Sequence, residues 1–197
     1  STTLILSSTD HVVPCSAESD TLTVTFFVNP IVEAGNNATI CSDSTLSISG
    51  VISGGASTGT WSVSPSNGGT FGNANNLQTT FTPSITNGSV WLFLNSADPS
   101  GPCGSVTDSL QITVNPIAIV NAELDQEHCL KPNNPLTVSG LITGGASTGT
   151  WTTLGDGTFV NVNALTTVYI PGSLDSSSLS TTLILSSTDH VVPCSAE

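Results

Sequence analysis

The sequence predicts an all-β chain, organised as tandem antiparallel β-sandwiches set end to end as a rod. Three observations carry that expectation. Short runs of Val, Ile, Leu and Thr alternate with polar residues along the whole chain. Each run is closed by Gly, Pro, Asn or Ser, the residues that make turns. A long internal repeat divides the chain into units of sandwich size.

In chain order the alternating runs are TLTVTFFVN (21–29), TLSIS (45–49), SVWLFLN (89–95), SLQITVN (109–115), PLTVSG (135–140) and TTLILSS (181–187). In each, every second side chain is apolar, as a strand with one face on a core requires. No segment keeps helical periodicity over three turns, so no helix is predicted.

The repeat fixes the domain plan. GVISGGASTGTW (50–61) returns as GLITGGASTGTW (140–151), and TFGNANNL (70–77) returns as TFVNVNAL (158–165). Asp98 and Cys103 keep the spacing of Asp189 and Cys194. DSLQITVNP (108–116) finds its partner in DTLTVTFFVNP (20–30), at the front of the chain. Moreover, residues 180–197 repeat residues 1–18 letter for letter. The expected plan is therefore residues 1–30 as the last strands of a truncated preceding copy of the second repeat, 31–116 as the first repeat, and 117–197 as the second repeat without its last strand. On that plan the 197 residues are a window on a tandem array with a period of 179. The tripeptide VNP, at 28–30 and again at 114–116, runs straight into the next strand without a Gly/Ser spacer, so the junctions are expected to be stiff. Exchange of the terminal strands between separate chains is the competing arrangement.

Composition excludes several classes of function. Fourteen acidic residues face a single basic one, Lys131, giving a net charge of -13. Nothing here neutralises phosphate, so nucleic acid is not a partner. No apolar run reaches the eighteen residues needed to span a bilayer, so no membrane insertion is expected. Only 8% of residues are charged, leaving a surface of Ser, Thr, Asn and Gly.

Each unit has one Cys ahead of its first alternating strand, Cys41 or Cys129, and one in the turn before its last strand, Cys103 or Cys194. The expected disulfides are Cys41–Cys103 and Cys129–Cys194, with Cys15 left to pair with a Cys outside the window. Unpaired cysteines in a reducing compartment are the alternative. A structural metal is not expected, since there is no C-x-x-C or Cys/His cluster.

AGNNATICSDSTLSISGVISGGASTGTW (34–61), followed by GTFGNANNLQTTFTP (69–83) and GPCGSVTDSLQITVNP (101–116), resembles the tandem immunoglobulin-like (PKD-like) repeats of giant Bacteroidota cell-surface adhesins, including gliding-motility adhesin-like proteins. The resemblance covers both units, but AELDQEHCLKPNNP (122–135) departs from it. It implies an immunoglobulin-like fold and an exported, extracellular, filamentous protein delivered to the cell surface by type IX secretion through a C-terminal signal outside these residues. Its implied partners are neighbouring repeats of the same chain or filament, surface glycans and other cells.

No constellation of nucleophile, base and orienting group occurs, so no catalytic residue, cofactor or enzymatic activity is expected. His11, His128 and His190 read as loop histidines. Asp98, Asp108 and Asp189, with Asp20 as a further copy, are weak candidates for Ca²⁺, but two Asp per unit is a thin ligand supply. Lys131 has no counterpart in the first unit, so an isopeptide crosslink is not a general feature of the array. Asn37 and Asn87 head N-x-S/T sequons. Thr21, Ser44 and Ser109 follow Asp as in the O-glycosylation sites of exported Bacteroidota proteins, and are candidates for that modification. Trp61 and Trp151 are predicted as core residues, with Trp91 undecided. Two functions remain: a structural repeat of a surface filament or adhesin stalk, giving length, stiffness and protease resistance, or a carbohydrate-binding module of an exported protein.

Overall fold

The computed structural model describes residues 1–129 and 134–196, and Lys131 lies outside the described residues. The chain opens with an antiparallel hairpin of β1 (Thr2–Ser7) and β2 (Ser19–Val24), in which Leu4 faces Leu22 and Ser7 faces Ser19. The predicted strand 21–29 is shorter than its alternation implied. Its partner starts opposite Val24, so Phe26, Phe27 and Val28 have no ladder to join and stand exposed.

Nine strands follow: β3 (Pro30–Glu33), β4 (Ala38–Cys41), β5 (Leu46–Ser49), β6 (Val51–Gly54), β7 (Gly59–Ser64), β8 (Gly69–Phe71), β9 (Gln78–Pro83), β10 (Gly88–Ser96) and β11 (Thr107–Asn115). One sheet runs β4-β11-β10-β7, and the pairs β3-β6 and the triplet β5-β9-β8 cover it. The layers meet because alternation sends one face of each strand inward. Val90, Leu92 and Leu94 of β10 are buried while Trp91 between them is 44% exposed. With Leu110, Ile112 and Val114 they pack on Trp61, Ile48, Phe81, Val32 and Ile52 as one core. Phe71 lies 6.3 Å from Trp61 and 5.4 Å from Phe81, between ring centroids, and continues the aromatic seam. The sandwich departs from strict antiparallel order at one place, where β4 pairs parallel with the end of β11, Cys41 opposite Asn115.

The second set comprises β12 (Ala118–Asn121), β13 (Leu136–Ser139), β14 (Leu141–Gly144), β15 (Gly149–Thr153), β16 (Thr158–Phe159), β17 (Thr166–Ile170), α1 (Ser173–Ser178) and β18 (Leu183–Ser187). Trp151, Phe159 and Tyr169 repeat the aromatic seam, and Trp151 joins Ala118, Val138, Ile142 and Leu185 in a second, smaller core. β18 takes the place of β10 but pairs only with β15. Among the described residues no strand forms between Asn121 and Leu136. In the first unit the corresponding strand, β4, draws its whole ladder from β11, so a segment without such a neighbour has nothing to pair with.

Helix α1 was not predicted. Six residues are too few to show a period, and the helix is held by local polar groups: Leu174 N and Ser173 Oγ donate to the Asp156 carboxylate at 3.0 and 3.1 Å.

The register also corrects the alignment of the junctions. Pro30 pairs with Gly54, and it is Ala118, not Pro116, that pairs with the equivalent Gly144. The offset of 88 that carries Pro30 onto Ala118 also carries Asp20 onto Asp108, Phe27 onto Asn115 and Cys41 onto Cys129. The two VNP tripeptides are therefore out of step by two residues.

Candidate functional site

The site with the most specific chemistry is the junction between the two units. β11 ends at Asn115, whose carbonyl accepts from Ser42 N at 2.9 Å and so ties off the β4 edge. From the second unit, the turn after β18 reaches back to the same residue. Asn115 Nδ2 donates to Val192 O at 2.7 Å, and Cys194 Sγ lies 3.8 Å from Asn115 O. The turn is closed by Cys194 N donating to Val191 O at 2.9 Å. These contacts seat Cys194 beside Cys41, and the two form a disulfide across the junction, with Cα atoms 5.5 Å apart and both residues buried.

The predicted pairs Cys41–Cys103 and Cys129–Cys194 are thus corrected: Cys41 bonds Cys194, while Cys15, Cys103 and Cys129 are free thiols. Strand length is the reason. Cys41 faces Asn115 at the far end of β11, whereas Cys103 precedes Thr107 at its near end. A strand of nine residues separates the two cysteines by roughly 30 Å at the usual rise, far beyond disulfide reach. The second cysteine of a unit therefore faces backward, toward the unit before it.

The hairpin holds a second copy of this turn. Cys15 N donates to Val12 O at 2.9 Å, as Cys194 N does to Val191 O, and Cys15 is exposed. Near the front of the first unit, Gly101 lies against Phe27: a Cβ added there would fall 2.5 Å from the ring. Gly101 stands two residues before Cys103, as Val192 stands two before Cys194, and Phe27 stands in the place of Asn115.

The acidic candidates work as backbone acceptors. Asp189 accepts from Ser147 Oγ at 2.7 Å and from Ser147 N and Thr148 N at 2.9 Å, and these bonds, the hydroxyl's first, hold its carboxyl far below the usual range. Asp108 accepts from Ala34 N at 2.7 Å, and Asp98 is exposed. Asp98, Asp108 and Asp189 are not brought together, and among the described residues no three His, Cys, Asp or Glu gather as ligands. Asp189 is thereby engaged away from His190, whose Nδ1 is buried without a hydrogen-bond partner.

Thr21 is exposed on β2, while Ser44 and Ser109 are half-buried. Asn37 of the first sequon uses its Oδ1 to accept from Gln111 N at 2.7 Å. Trp61 and Trp151 are each only 2% exposed, in the cores as predicted.

One group escaped sequence reasoning. In the second unit Tyr169 replaces the core Phe81, and its hydroxyl donates to the buried Asp175 carboxylate at 2.5 Å. Gly172 N donates to the same oxygen at 3.0 Å. Burial opposes ionisation of Asp175, but the bonds from Tyr169, Gly172 and Thr181 outweigh it and hold the carboxyl below its ordinary range. Burial and the bond to Asp175 push the Tyr169 hydroxyl up. This cluster locks α1 to β17. The Phe-to-Tyr exchange at matching core positions is the signal that could have revealed it.

No protein-family model and no curated protein matches the sequence. Among solved structures, the chain is similar to the N-terminal eight Ig domains of Down Syndrome Cell Adhesion Molecule isoform 1.30.30, with 12% identity, a TM-score of 0.49, and coverage of 89% of this chain and 29% of that one. It is similar also to the human CDH23 fragment EC21-23, with 13% identity, a TM-score of 0.46, and coverage of 92% and 66%. A third is DIP-gamma IG1+IG2, at 10% identity and a TM-score of 0.43, covering 86% and 94%. The chain thus spans under a third of the first of these.

Proposed function

We propose that this chain is a non-catalytic structural segment of a long extracellular filament or adhesin stalk, in which a two-unit cassette is repeated. The observation that carries the reading is the covalent junction: a disulfide between consecutive units, backed by the Asn115–Val192 hydrogen bond, makes two sandwiches into one stiff element. A buried disulfide also fits an oxidising, extracellular location. No helix among the described residues is long and apolar enough to cross a membrane.

The hairpin supports continuation of the array. The identity of residues 1–18 with 180–197 makes β1 a copy of β18, and β2 is related to β11 by the offset of 88. Leu4 faces Leu22 in the hairpin as Leu92 faces Leu110 in the first unit, so the register is the same. Residues 1–30 are then the end of one cassette, 31–116 its following first unit and 117–197 the next second unit, completed by a further copy of β2. The resemblance to Bacteroidota adhesins adds cell-surface attachment, type IX secretion and O-glycans at Thr21, Ser44 or Ser109. Carbohydrate binding is the weaker reading, because the repeated Trp61 and Trp151 are buried and leave no row of aromatic rings.

The test is the mass of the native material, denatured with and without reductant. Masses of many 179-residue periods that survive reduction support one continuous rod. Subunits near 20.0 kDa after reduction, from an assembly that was larger before it, point to strand exchange between chains. A lone 20.0 kDa species in both states and no assembly in solution would refute the filament.

A further inference from the structure

The observed disulfide joins a first unit to the second unit that follows it. We propose that the other kind of junction, from a second unit to the first unit that follows it, is closed by the corresponding bond: Cys129 of one cassette to Cys103 of the next. This rests on the array reading and names its partner, a further copy of the same repeat. The staples then recur at every junction, each first cysteine bonded to the second cysteine of the unit ahead.

Three placements lead there. The offset of 88 puts Cys129 in the sequence position of Cys41 and Phe27 in that of Asn115, so a completing strand extended to Phe27 would set the two opposite each other as Cys41 and Asn115 are. The Cys103 turn already rests on that same Phe27 through Gly101, as the Cys194 turn rests on Asn115 through Val192. Finally, the hairpin shows that β2 pairs with a strand of β18's sequence in the register of the first unit's own last pair, so the completing strand sits where Cys129 needs it. Both thiols are unpaired and accessible, Cys129 exposed and Cys103 partly so.

The cysteine inventory closes on this arrangement. Four of the five cysteines form two junction staples per cassette, and the fifth, Cys15, is the copy of Cys194. Formation is a two-electron oxidation. Each thiol loses a proton and the sulfurs bond, while the two electrons and two protons pass by exchange to an external disulfide, which leaves as two thiols. Asn115 has no counterpart at this second junction, where Phe27 stands instead, so the contact is apolar and the staple is its main specific tie.

The experiment uses the full chain, prepared unlabelled and ¹⁵N-labelled, mixed, and oxidised at high concentration in a glutathione redox buffer. After alkylation it is digested at acidic residues without reduction and mapped by mass spectrometry. The expected result is Cys41–Cys194 within one chain and Cys103–Cys129 as hybrid peptides carrying one light and one heavy half. Denatured without reductant, such samples give multiples of 20.0 kDa that collapse to one species on reduction, and Cys129→Ser abolishes them. Assemblies that form with Cys103 and Cys129 alkylated, or bonded only within one chain, would overturn the staple and leave the array standing. A chain that stays single at every concentration, its own Cys41–Cys194 bond intact, would likewise overturn the staple, while the array stands or falls on the mass of the native material.

Discussion

Replacing Cys194 by Ser tests the junction most directly. The bond closes a chain of 153 residues, and if both units unfold together the loop-entropy relation assigns it about 5 kcal/mol. If the first unit unfolds while the second stays folded, the free loop shrinks to roughly 75 residues and the stabilisation to about 4.5 kcal/mol. The figure is therefore insensitive to the unfolding route, since it varies only with the logarithm of loop length. Urea titration of the isolated chain in a Trp151→Phe background, followed by fluorescence of the buried Trp61, reads the first unit. Cys194→Ser and Cys41→Ser are each expected to lower its stability by about 4 to 5 kcal/mol, with a steeper slope because the unfolded chain is no longer tied, and Cys103→Ser to leave it within about 0.5 kcal/mol. A large loss in Cys103→Ser together with none in Cys194→Ser would refute the inter-unit bond and restore the pairing within one sandwich.

Three further outcomes follow from the packing. Because the Asp175 carboxyl is held below its ordinary range, the native second unit binds fewer protons than the unfolded chain around pH 4; its contribution is complete above that value and lost as pH falls through the folded pKa. Acid titration of Asp175→Asn should accordingly show a shallower loss of stability below pH 4 than the parent, and an equal slope would remove Asp175 from the account. A Cβ at Gly50 would fall 2.3 Å from Leu94 and 2.9 Å from Trp61, so Gly50→Ala is expected to destabilise the first unit by about 1 to 3 kcal/mol, measured by thermal melting. Trp91, 44% exposed on the outer face of β10, should tolerate Ala within about 1 kcal/mol in urea titration, whereas Trp61→Ala should cost about 3 to 5 kcal/mol.

The strands were legible because alternation and turn chemistry are local properties. Thr45 to Ser49 and Ser89 to Asn95 read as strands from their own residues and fold as strands. Trp61 and Trp151 were legible as core because the Gly-rich turn recurs with them. The parallel pairing of β4 was not, since it depends on which neighbour the chain meets after a long crossover and leaves no periodicity behind. The disulfide was misread because proximity in the sequence pattern was taken for proximity in space. A full-length strand between Cys103 and Asn115 puts the two cysteines of a unit at opposite ends, but only the parallel pairing of β4 places Cys41 beside Asn115. Tyr169 and Asp175 stayed hidden because their partnership depends on α1, a helix too short to have a signature.

The staple also changes what the chain does under load. A pull entering at β3 reaches Cys41, crosses the sulfur bridge to Cys194, and leaves toward the next cassette, so the intervening 152 residues, with most of both sandwiches, carry no tension. Those residues would release roughly 500 Å of length if the bridge opened and both sandwiches then unfolded under the load, at the extended reach of a polypeptide. Oxidised, the segment cannot lengthen beyond the bridge; reduced, it lengthens once its sandwiches unfold, and the redox state of the surroundings sets which.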